Sequence, residues 1–261
     1  MRSNLFDLTG KSAIVTGANT GLGQGMALAL AQAGADIALI GRSDPIETLE
    51  QLDKIGAKSH FIQTDLSQSD KAQEIITEAA AALGGLDILV NNAGTIKRNE
   101  AIKFTVDDWD NVINVNLRSL FFYSQAFAKH LIAGRKSGKR SGKKSGKIIN
   151  IASMLSFQGG IRVPSYTASK SGVSGLTKAL ANEWATHGIN VNAIAPGYFA
   201  TNNTAELQAD EKRNKDILGR IPTGRWGDPS DLDGAVIFLA SEASNYVQGI
   251  TLPVDGGWLS R

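Results

Sequence analysis

Three side chains that could exchange a proton with a substrate lie close together in the segment "IASMLSFQGGIRVPSYTASK", residues 151–170. Tyr166 and Lys170 are spaced i, i+4, which places both on one face of a helix that we expect to begin near Pro164. Tyrosine has a reference pKa of about 10, and a neighbouring ammonium lowers it by favouring the phenolate. Ser153 could hydrogen-bond the same substrate oxygen from the other side. The set suits proton exchange with an alcohol or carbonyl oxygen.

A fourth polar group, Asn116, lies on a helix predicted to start near Thr105. One stripe of this helix has the spacing of a buried face and consists of Trp109, Val112, Ile113, Asn116 and Leu120. A buried amide needs hydrogen-bond partners. Two interpretations are equally open: Asn116 supports a water relay to Lys170, or nearby backbone groups satisfy it.

A scaffold for these groups is predicted by the alternation of strand-like apolar runs with helix-like segments along the chain. The apolar runs cover residues 11–17, 36–41, 60–67, 86–94, 147–153, 189–197 and 250–257. Strands that are apolar throughout and separated by helices indicate a parallel sheet buried on both faces. No linker divides the 261 residues. We therefore predict an α/β fold with one domain and a seven-stranded parallel, doubly wound sheet, whose functional residues follow the strands.

A glycine-rich turn, "TGANTGLG" at residues 16–23, follows the first strand and opens the first helix. Its glycines would let the backbone approach a pyrophosphate at the helix N-terminus, although an ordinary turn is the alternative. Asp65, after the third strand, could accept from an adenine amino group or cap the next helix. "NNAG" at residues 91–94 would line the cofactor or form a simple turn. Beside the proton-exchanging groups, this turn favours hydride transfer with a nicotinamide.

The end of the second strand bears on the choice of cofactor. Dinucleotide folds that select NAD carry an acidic residue there, whereas this chain has Gly41 followed by Arg42 and Ser43. A guanidinium could bind the 2′-phosphate, or it could stack on adenine or point into solvent. The prediction is NAD(P)(H), with a preference for NADP(H).

These motifs together resemble those of the short-chain dehydrogenases/reductases, over essentially the whole chain. The resemblance rests on "TGANTGLG", "NNAG", Asn116, Ser153 with "YTASK", and "PGYFATNN". It implies a Rossmann fold, a homotetramer and a catalytic tetrad. In that tetrad Tyr166 is the acid–base, Lys170 lowers its pKa and holds the nicotinamide ribose, Ser153 orients the substrate, and Asn116 supports the relay. The segment 196–201 would cover the nicotinamide amide.

The cofactor contacts predicted from these motifs are made by Gly17, Asn19, Thr20, Gly21, Leu22, Gly23, Arg42, Ser43, Asp65, Leu66, Asn92, Ala93, Gly94, Tyr166, Lys170, Pro196, Gly197, Phe199 and Thr201.

The rim of the expected site is basic and rich in amides. Arginine suits a planar carboxylate, although a single surface charge more often simply faces solvent. The predicted substrate residues are Arg98, Ser153, Gln158, Arg162, Tyr166 and Asn202, with Lys97 and Asn203 nearby. "SMLSFQGGIRVPSYTASKSGV" and "IPTGRWGDPSDL" further resemble the branch of the family that acts on keto-deoxy sugar acids, the 2-dehydro-3-deoxy-D-gluconate 5-dehydrogenases or 2-deoxy-D-gluconate 3-dehydrogenases. That branch is largely NAD-linked, which weighs against the NADP(H) preference.

Two other functions stay open at this point. One is a gluconate 5-dehydrogenase or another polyol dehydrogenase. The other is a non-catalytic nucleotide- or nucleic-acid-binding protein, which the basic segment "GRKSGKRSGKKSGK" at residues 134–147 suggests but a complete tetrad opposes. We expect this segment to be a flexible insert at the amino ends of the strands, away from the site.

Composition sets outer limits on function. The net charge is +2, and the basic segment carries seven positive charges, so the rest of the chain is mildly acidic. The chain has no cysteine, and its three histidines do not share a metal-ligand spacing, so no metal is expected. No apolar run is long enough to span a bilayer, and no signal-peptide core is present. We expect a cytoplasmic protein that binds neither membrane nor nucleic acid.

Overall fold

The computed structural model describes residues 4–136 and 146–261. In the described residues a seven-stranded sheet has the order β3-β2-β1-β4-β5-β6-β7, and all its pairs are parallel. The strands are β1 (Ser12–Thr16), β2 (Asp36–Gly41), β3 (Ser59–Gln63), β4 (Ile88–Asn91), β5 (Gly146–Ile151), β6 (Ile189–Pro196) and β7 (Thr251–Val254). The predicted seven-stranded, parallel, doubly wound α/β fold is confirmed.

Helices cover both faces of the sheet. They are α1 (Gly21–Gln32), α2 (Ile46–Ile55), α3 (Ala72–Leu83), α4 (Val106–Ile113), α5 (Ser119–Lys136), α6 (Pro164–Trp184), α7 (Ala205–Ala209), α8 (Glu211–Leu218) and α9 (Asp233–Ala240). Successive side chains of a strand point to opposite faces. Ile14 therefore packs in the core formed with α3 and α5, while Ala13 and Val15 pack in the core formed with α1 and α9.

The carboxyl ends of β1 and β4 define the place where a ligand can bind. The strand order reverses between these two neighbours, and the loops that follow them leave in opposite directions. The glycine-rich turn follows β1, the "NNAG" segment ends β4, and Ser153 lies two residues beyond Ile151, where β5 ends. The sheet thus gathers at one edge three motifs that are far apart in sequence.

The helix that carries the tyrosine and the lysine begins as predicted. Pro164 is at the first position of α6, where its fixed φ suits the helix and its missing N–H leaves no intrahelical bond unmade. Ser165, Ser169 and Lys170 are buried on the side that faces the protein.

The stripe predicted around Asn116 is only partly buried. Val112, Asn116 and Leu120 are buried, but Trp109 is 41% exposed, so its assignment to the buried face was wrong. Between α4 and α5 the chain forms a π-helical turn, Asn114–Arg118. Trp109 and Val112 both lie in α4, ahead of this turn, and Val112 is the residue that α4 buries.

The predicted basic insert at 134–147 is described only at its two ends. The helix α5 extends to Lys136, residues 137–145 lie outside the described part of the chain, and β5 begins at Gly146. Lys147 belongs to the sheet rather than to a surface loop, because it is buried and its Nζ donates to Ser244 Oγ at 3.1 Å and to Asn245 Oδ1 at 2.9 Å. Burial lowers the pKa of Lys147 to about 8.

Neither a membrane span nor a metal cluster is found in the part of the chain that the structure describes. No described helix is long and apolar enough to cross a bilayer. No group of three or more histidine, aspartate or glutamate side chains within residues 4–136 and 146–261 could hold a metal ion.

Candidate active site

The glycine-rich turn after β1 is held against the segment that ends β4. Asn92 Nδ2 donates to Thr16 O at 2.9 Å and to Gly17 O at 3.0 Å. Gly17 has a φ of +65°, and a Cβ there would lie 3.0 Å from Ala93 Cα. Only glycine meets both the left-handed backbone and this close approach. The Asn92 side chain therefore serves the cofactor side of the site by fixing the shape of the turn.

Two threonines that sequence reasoning missed also hold this turn. Thr16 Oγ1 accepts from the backbone N–H groups of Asn92 and Ala93, each at 3.0 Å. Thr48 Oγ1, on α2, donates to Ala18 O at 2.9 Å and approaches Asn19 O at 3.5 Å. Thr16 could have been suspected as the last residue of a strand at the reversal point. Nothing in the sequence around Thr48 indicates this contact, because its partners Ala18 and Asn19 lie 30 and 29 positions earlier in the chain.

The N-terminus of α1 offers backbone donors for an anion. Thr20 is the N-cap residue, yet its side chain makes no capping bond, and the first turn holds no acidic residue. The first N–H groups of a helix lack intrahelical partners and carry the positive end of its dipole. Thr20 and Gly21 line a cavity of about 420 Å³. This arrangement fits the pyrophosphate of a dinucleotide.

Asn202 lines the same cavity as Thr20 and Gly21, together with Thr201. The structure therefore brings Asn202 to the glycine-rich turn, whereas the sequence analysis grouped it with the substrate residues. Its contact with a substrate stays a prediction, and the side chain of Asn203 lies outside the description.

The end of β2 provides room for a 2′-phosphate. A Cβ on Gly41 would have no atom within 4 Å, and Arg42 and Ser43 beside it are exposed. Gln63 Nε2 donates to Arg42 O at 2.9 Å, which fixes the main chain at this point.

Asp65 makes a local bond in the turn before the next helix but does not cap that helix, which begins at Ser69 with Gln68 as its N-cap residue. Asp65 Oδ1 accepts from Ser67 N at 2.9 Å, and this bond, together with the charge of Arg42, holds the pKa of the carboxyl below its usual value. Leu66 is buried and Leu22 is partly buried, each within an apolar core. A cofactor contact of Leu66 would therefore come from its backbone, and the contact between Asp65 and adenine stays a prediction.

Ser153, Tyr166 and Lys170 meet at the end of β5. Ser153 hydrogen-bonds the tyrosine side chain, and its Oγ also accepts from Leu155 N at 3.2 Å. Lys170 Nζ lies 5.6 Å from the centre of the Tyr166 ring and donates to Ile151 O at 2.6 Å. The lysine is thus anchored to the last residue of the strand while its head lies beside the tyrosine.

The electrostatics of the tyrosine differ from expectation. Burial raises the pKa of Tyr166 above its ordinary value, and the hydrogen bond from Ser153 and the charge of Arg98 oppose that rise. Burial also lowers the pKa of Lys170 to about 8. Ser153 and Arg98 thus favour the phenolate, and the predicted effect of Lys170 on it stays a prediction.

Asn116 is fully engaged in hydrogen bonds. Its Oδ1 accepts from Thr95 N at 2.8 Å, and its Nδ2 donates to Thr95 O at 2.9 Å and to Ser169 Oγ at 3.2 Å. The interpretation in which backbone satisfies the amide describes the two bonds to Thr95, and the third bond is to the hydroxyl of Ser169. Asn116 also borders the site: a Cβ on Gly94 would lie 3.4 Å from Asn116 Oδ1 and 3.7 Å from Lys170 Nζ. A relay through water stays a prediction.

Two loops form the rim of the site, and one backbone bond joins them. Asn99 N donates to Arg162 O at 2.9 Å. Arg162 has a φ of +65°, the only positive φ of a non-glycine residue among residues 4–136 and 146–261. A strained backbone of this kind often marks a functional site. This bond places the loop of Arg98 next to the loop of Arg162. Lys97 forms an ion pair instead, with its Nζ 3.7 Å from Asp108 Oδ1.

The segment after β6 is held by one backbone bond to β7 and by the side chain of Thr204. Gly197 N donates to Val254 O at 2.9 Å, and Thr204 Oγ1 donates to Phe199 O at 2.6 Å. Thr201 N donates to Thr204 Oγ1 at 3.1 Å. These bonds hold residues 196–201, and Thr201 lines the same cavity as Gly21 of the glycine-rich turn. That this segment covers a nicotinamide stays a prediction.

The chain belongs to the short-chain dehydrogenase family, whose model matches residues 11–212. The sequence-based prediction of this family is confirmed. It defines the protein as an oxidoreductase that uses a nicotinamide cofactor, in agreement with the glycine-rich turn and the Ser153, Tyr166 and Lys170 cluster.

Several of the similar proteins are named as sugar-acid dehydrogenases. The chain is 60% identical to the 2-dehydro-3-deoxy-D-gluconate 5-dehydrogenase of Escherichia coli (strain K12), over 98% of each chain. It is 56% identical to the protein of the same name from Dickeya dadantii (strain 3937), over 99% of each. A crystal structure from Agrobacterium tumefaciens, provisionally named a 2-deoxy-D-gluconate 3-dehydrogenase with bound NADP, is 55% identical and has a TM-score of 0.92, covering 99% of this chain and 100% of that one.

Proposed function

We propose that this protein transfers hydride between a nicotinamide cofactor and a keto-deoxy sugar acid, as the 2-dehydro-3-deoxy-D-gluconate 5-dehydrogenases do. One observation carries the proposal: Tyr166 and Lys170 lie together at the end of β5, beside a rim where the bond from Asn99 N to Arg162 O joins the loops of Arg98 and Arg162. A positive charge close to the proton-exchanging group favours an anionic substrate. Relatives with up to 60% identity support the same class of substrate.

The positions of Ser153, Tyr166 and Lys170 support a separate role for each in the reaction. The bound nicotinamide supplies or accepts the hydride. In reduction, Tyr166 donates its proton to the carbonyl oxygen while Ser153 hydrogen-bonds that oxygen and orients it. Because burial raises the pKa of Tyr166, the tyrosine keeps its proton at neutral pH and serves as a donor there. Lys170, anchored on Ile151 O at 2.6 Å and 5.6 Å from the centre of the Tyr166 ring, would hold the ribose of the cofactor.

Carboxylate recognition is assigned to the two rim arginines. Arg98 and Arg162 belong to loops joined by the bond between Asn99 N and Arg162 O. A guanidinium can bind a carboxylate through two parallel hydrogen bonds. Arg98 would hold the substrate near Tyr166, and Arg162 would close over it.

The preferred cofactor is proposed to be NADP(H), with NAD(H) also accepted. Arg42, next to the open position of Gly41, supports the preference. The bound NADP of the 55% identical structure agrees with it. A homotetramer and a cytoplasmic location complete the proposal, and the mass in solution tests the first of these.

Removing the charge of Arg98 should discriminate acidic from neutral substrates. We expect Arg98→Met and Arg162→Met each to raise KM for a keto-deoxy sugar acid by about ten- to a hundred-fold, since a charged hydrogen bond contributes about 1.5–3 kcal/mol. KM for a neutral deoxy ketose should change far less. The measurement is initial rates of NADPH oxidation with both substrates.

Lys97→Met is the matched control, because Lys97 is on the same rim but paired with Asp108. It should leave the ratio of the two KM values unchanged. Equal effects of the arginine substitutions on both substrates would show that these arginines are structural. If kcat/KM for oxidation of gluconate exceeds kcat/KM for oxidation of every keto-deoxy acid, the enzyme is a gluconate 5-dehydrogenase instead.

The two reaction directions should respond to pH with opposite sign. Reduction needs the protonated phenol and oxidation needs the phenolate. Since the pKa of Tyr166 is raised, kcat/KM for oxidation should climb by up to about ten-fold per pH unit between pH 7 and 9, while kcat/KM for reduction should stay level or fall. Stopped-flow rates in both directions over this range provide the test. An oxidation rate independent of pH would show that Tyr166 is not the base.

A further inference from the structure

We propose that Trp258 is a positioning residue for substrate binding, because its indole N–H holds the side-chain amide of Gln158 in one orientation. This inference rests on the proposed function, in which Gln158 contacts the sugar acid. Trp258 Nε1 lies 3.3 Å from Gln158 Oε1, and the two residues are 100 positions apart in the chain.

The chemistry of the pair fixes which end of the amide points to the substrate. An indole N–H only donates, so the glutamine must present its oxygen to it. The amide N–H groups of Gln158 then point away from Trp258. Two donors suit the carboxylate and hydroxyl oxygens of a sugar acid. A flipped amide would instead turn its oxygen, which is an acceptor, toward these oxygens.

Trp258 is itself rigid enough to act as an anchor. It is 4% exposed and packs with Met154 and Ile217 in a small apolar cluster. The ring of Tyr198 lies 4.9 Å from its centre, and the guanidinium carbon of Arg220 lies 4.1 Å from it on the ring face. Aromatic and cation–π contacts of this kind hold a ring in one place.

The turn that carries Trp258 is equally constrained. Asp255 Oδ1 accepts from Gly257 N and Asp255 Oδ2 accepts from Leu259 N, both at 2.9 Å. Gly257 has a φ of +91°, and a Cβ there would lie 2.9 Å from Pro222. A Cβ on Gly197 would lie 2.6 Å from Asp255 Cα, so the same turn packs on the segment after β6 that is predicted to cover the nicotinamide. The last residues of the chain are thereby tied to both halves of the site.

The backbone of Gln158 is held by a hydrogen bond, and the orientation of its side-chain amide is set by the bond from Trp258. The backbone N–H of Gln158 donates to Met154 O at 3.2 Å, and the residue follows the short helix capped by Ser153. Gln158 thus lies in the chain between Ser153 and Tyr166, the two groups that face the reacting oxygen. Its side chain is half-buried, and the bond from Trp258 removes the freedom to flip.

The test compares two tryptophans of one aromatic cluster. Trp258→Phe keeps a ring but removes the bond to Gln158. Trp226→Phe is the matched control, because Trp226 packs on Tyr198 at 5.5 Å and its Nε1 donates to Asn214 Oδ1 at 2.8 Å, with no bond to the rim loop. KM and kcat are measured with the best substrate from a panel of keto-deoxy acids and neutral ketoses.

We expect Trp258→Phe to raise KM for that substrate by about three- to ten-fold, with kcat and the KM for NADPH within two-fold of wild type. Trp226→Phe should leave all three constants unchanged. An unchanged KM in Trp258→Phe, or equal changes in both variants, would overturn the inference. A neutral best substrate would overturn the proposed class of substrate alone, since its hydroxyl oxygens also accept from the amide.

A second variant separates positioning from packing. Gln158→Met removes the amide and keeps the length of the side chain, so it should raise KM by itself. In that background Trp258→Phe should add nothing, because the tryptophan acts only through Gln158. If the KM increase of the double variant equals the product of the increases in the two single variants, Trp258 affects substrate binding by a route other than Gln158. The indole N–H signal of Trp258 in an NMR spectrum, assigned from Trp258→Phe, should shift in Gln158→Met, and an unmoved signal contradicts the bond itself.

Discussion

Replacing Tyr166 by phenylalanine is expected to lower kcat by at least about 10²–10⁴-fold in both directions while leaving NADPH affinity within a few-fold of wild type. The phenolic oxygen is the group proposed to exchange the proton, and general acid–base catalysis contributes about that factor. The ring itself lies beside Lys170 at 5.6 Å and remains in the variant, so the cofactor side of the site is preserved. Single-turnover rates and fluorescence titration with NADPH measure the two quantities.

The matched control is Tyr246→Phe, since Tyr246 is fully exposed and lies outside the site. It should behave as wild type in both assays. A Tyr166→Phe enzyme with near wild-type kcat would remove the phenol from the mechanism. A Tyr166→Phe enzyme that fails to bind NADPH would instead assign Tyr166 mainly to cofactor binding.

The second large effect is expected at the end of β2, in the choice between the two cofactors. Arg42→Ala should lower the ratio of kcat/KM for NADPH over NADH by about ten- to a hundred-fold, because a charge-assisted contact with a phosphate contributes about 1.5–3 kcal/mol. Gly41→Asp should lower the same ratio further, since a carboxylate there repels the 2′-phosphate and can accept from the ribose hydroxyls. Steady-state kinetics with both cofactors and one substrate give the ratio.

The space around Gly41 allows a larger side chain to be introduced without displacing neighbouring atoms. A Cβ at this position has no atom within 4 Å, so Asp enters open space and the backbone need not move. Gly41→Ala is the matched control and should keep the ratio of the wild type. An unchanged ratio in Arg42→Ala would show that Arg42 does not bind the phosphate, and the preference for NADP(H) would be wrong.

The fold and the centre of the site were predictable because their signals are local. Apolar runs separated by helical segments define a buried parallel sheet, and a parallel sheet places loop residues at one edge. Tyr166 and Lys170 are one helical turn apart, so their proximity follows from the geometry of α6. Pro164, at the first position of that helix, marks where it begins.

The contacts that shape the site were not predictable, because they join residues distant in sequence. The bond from Trp258 to Gln158 spans 100 positions, and the bond from Asn99 to Arg162 joins loops after different strands. A sequence pattern carries no information on such pairs until the fold is known. The exposure of Trp109 escaped prediction for a different reason, since helical spacing shows which residues share a face but not how much of α4 is covered by other elements.

The electrostatic prediction for Tyr166 was limited in the same way. A spacing of i, i+4 shows that Lys170 is near, but it does not show that Ile151 O accepts from its ammonium or how deeply both groups are buried. Arg98, from a loop before α4, was expected on the rim, and the structure adds that its charge acts on the phenol. Desolvation and distant charges depend on tertiary packing, so they become known only with the structure.

The central claim is that this site moves hydride between nicotinamide and the carbonyl of a keto-deoxy sugar acid. The most direct test is to incubate the wild-type enzyme with NADPH deuterated at the transferable position of the nicotinamide and with a keto-deoxy sugar acid, and then to analyse the product by mass spectrometry and NMR. The account predicts a hydroxy acid that carries one deuterium on the reduced carbon, formed by the wild type and by Tyr246→Phe but not by Tyr166→Phe. No product from any keto-deoxy acid, or a product without deuterium, would contradict it.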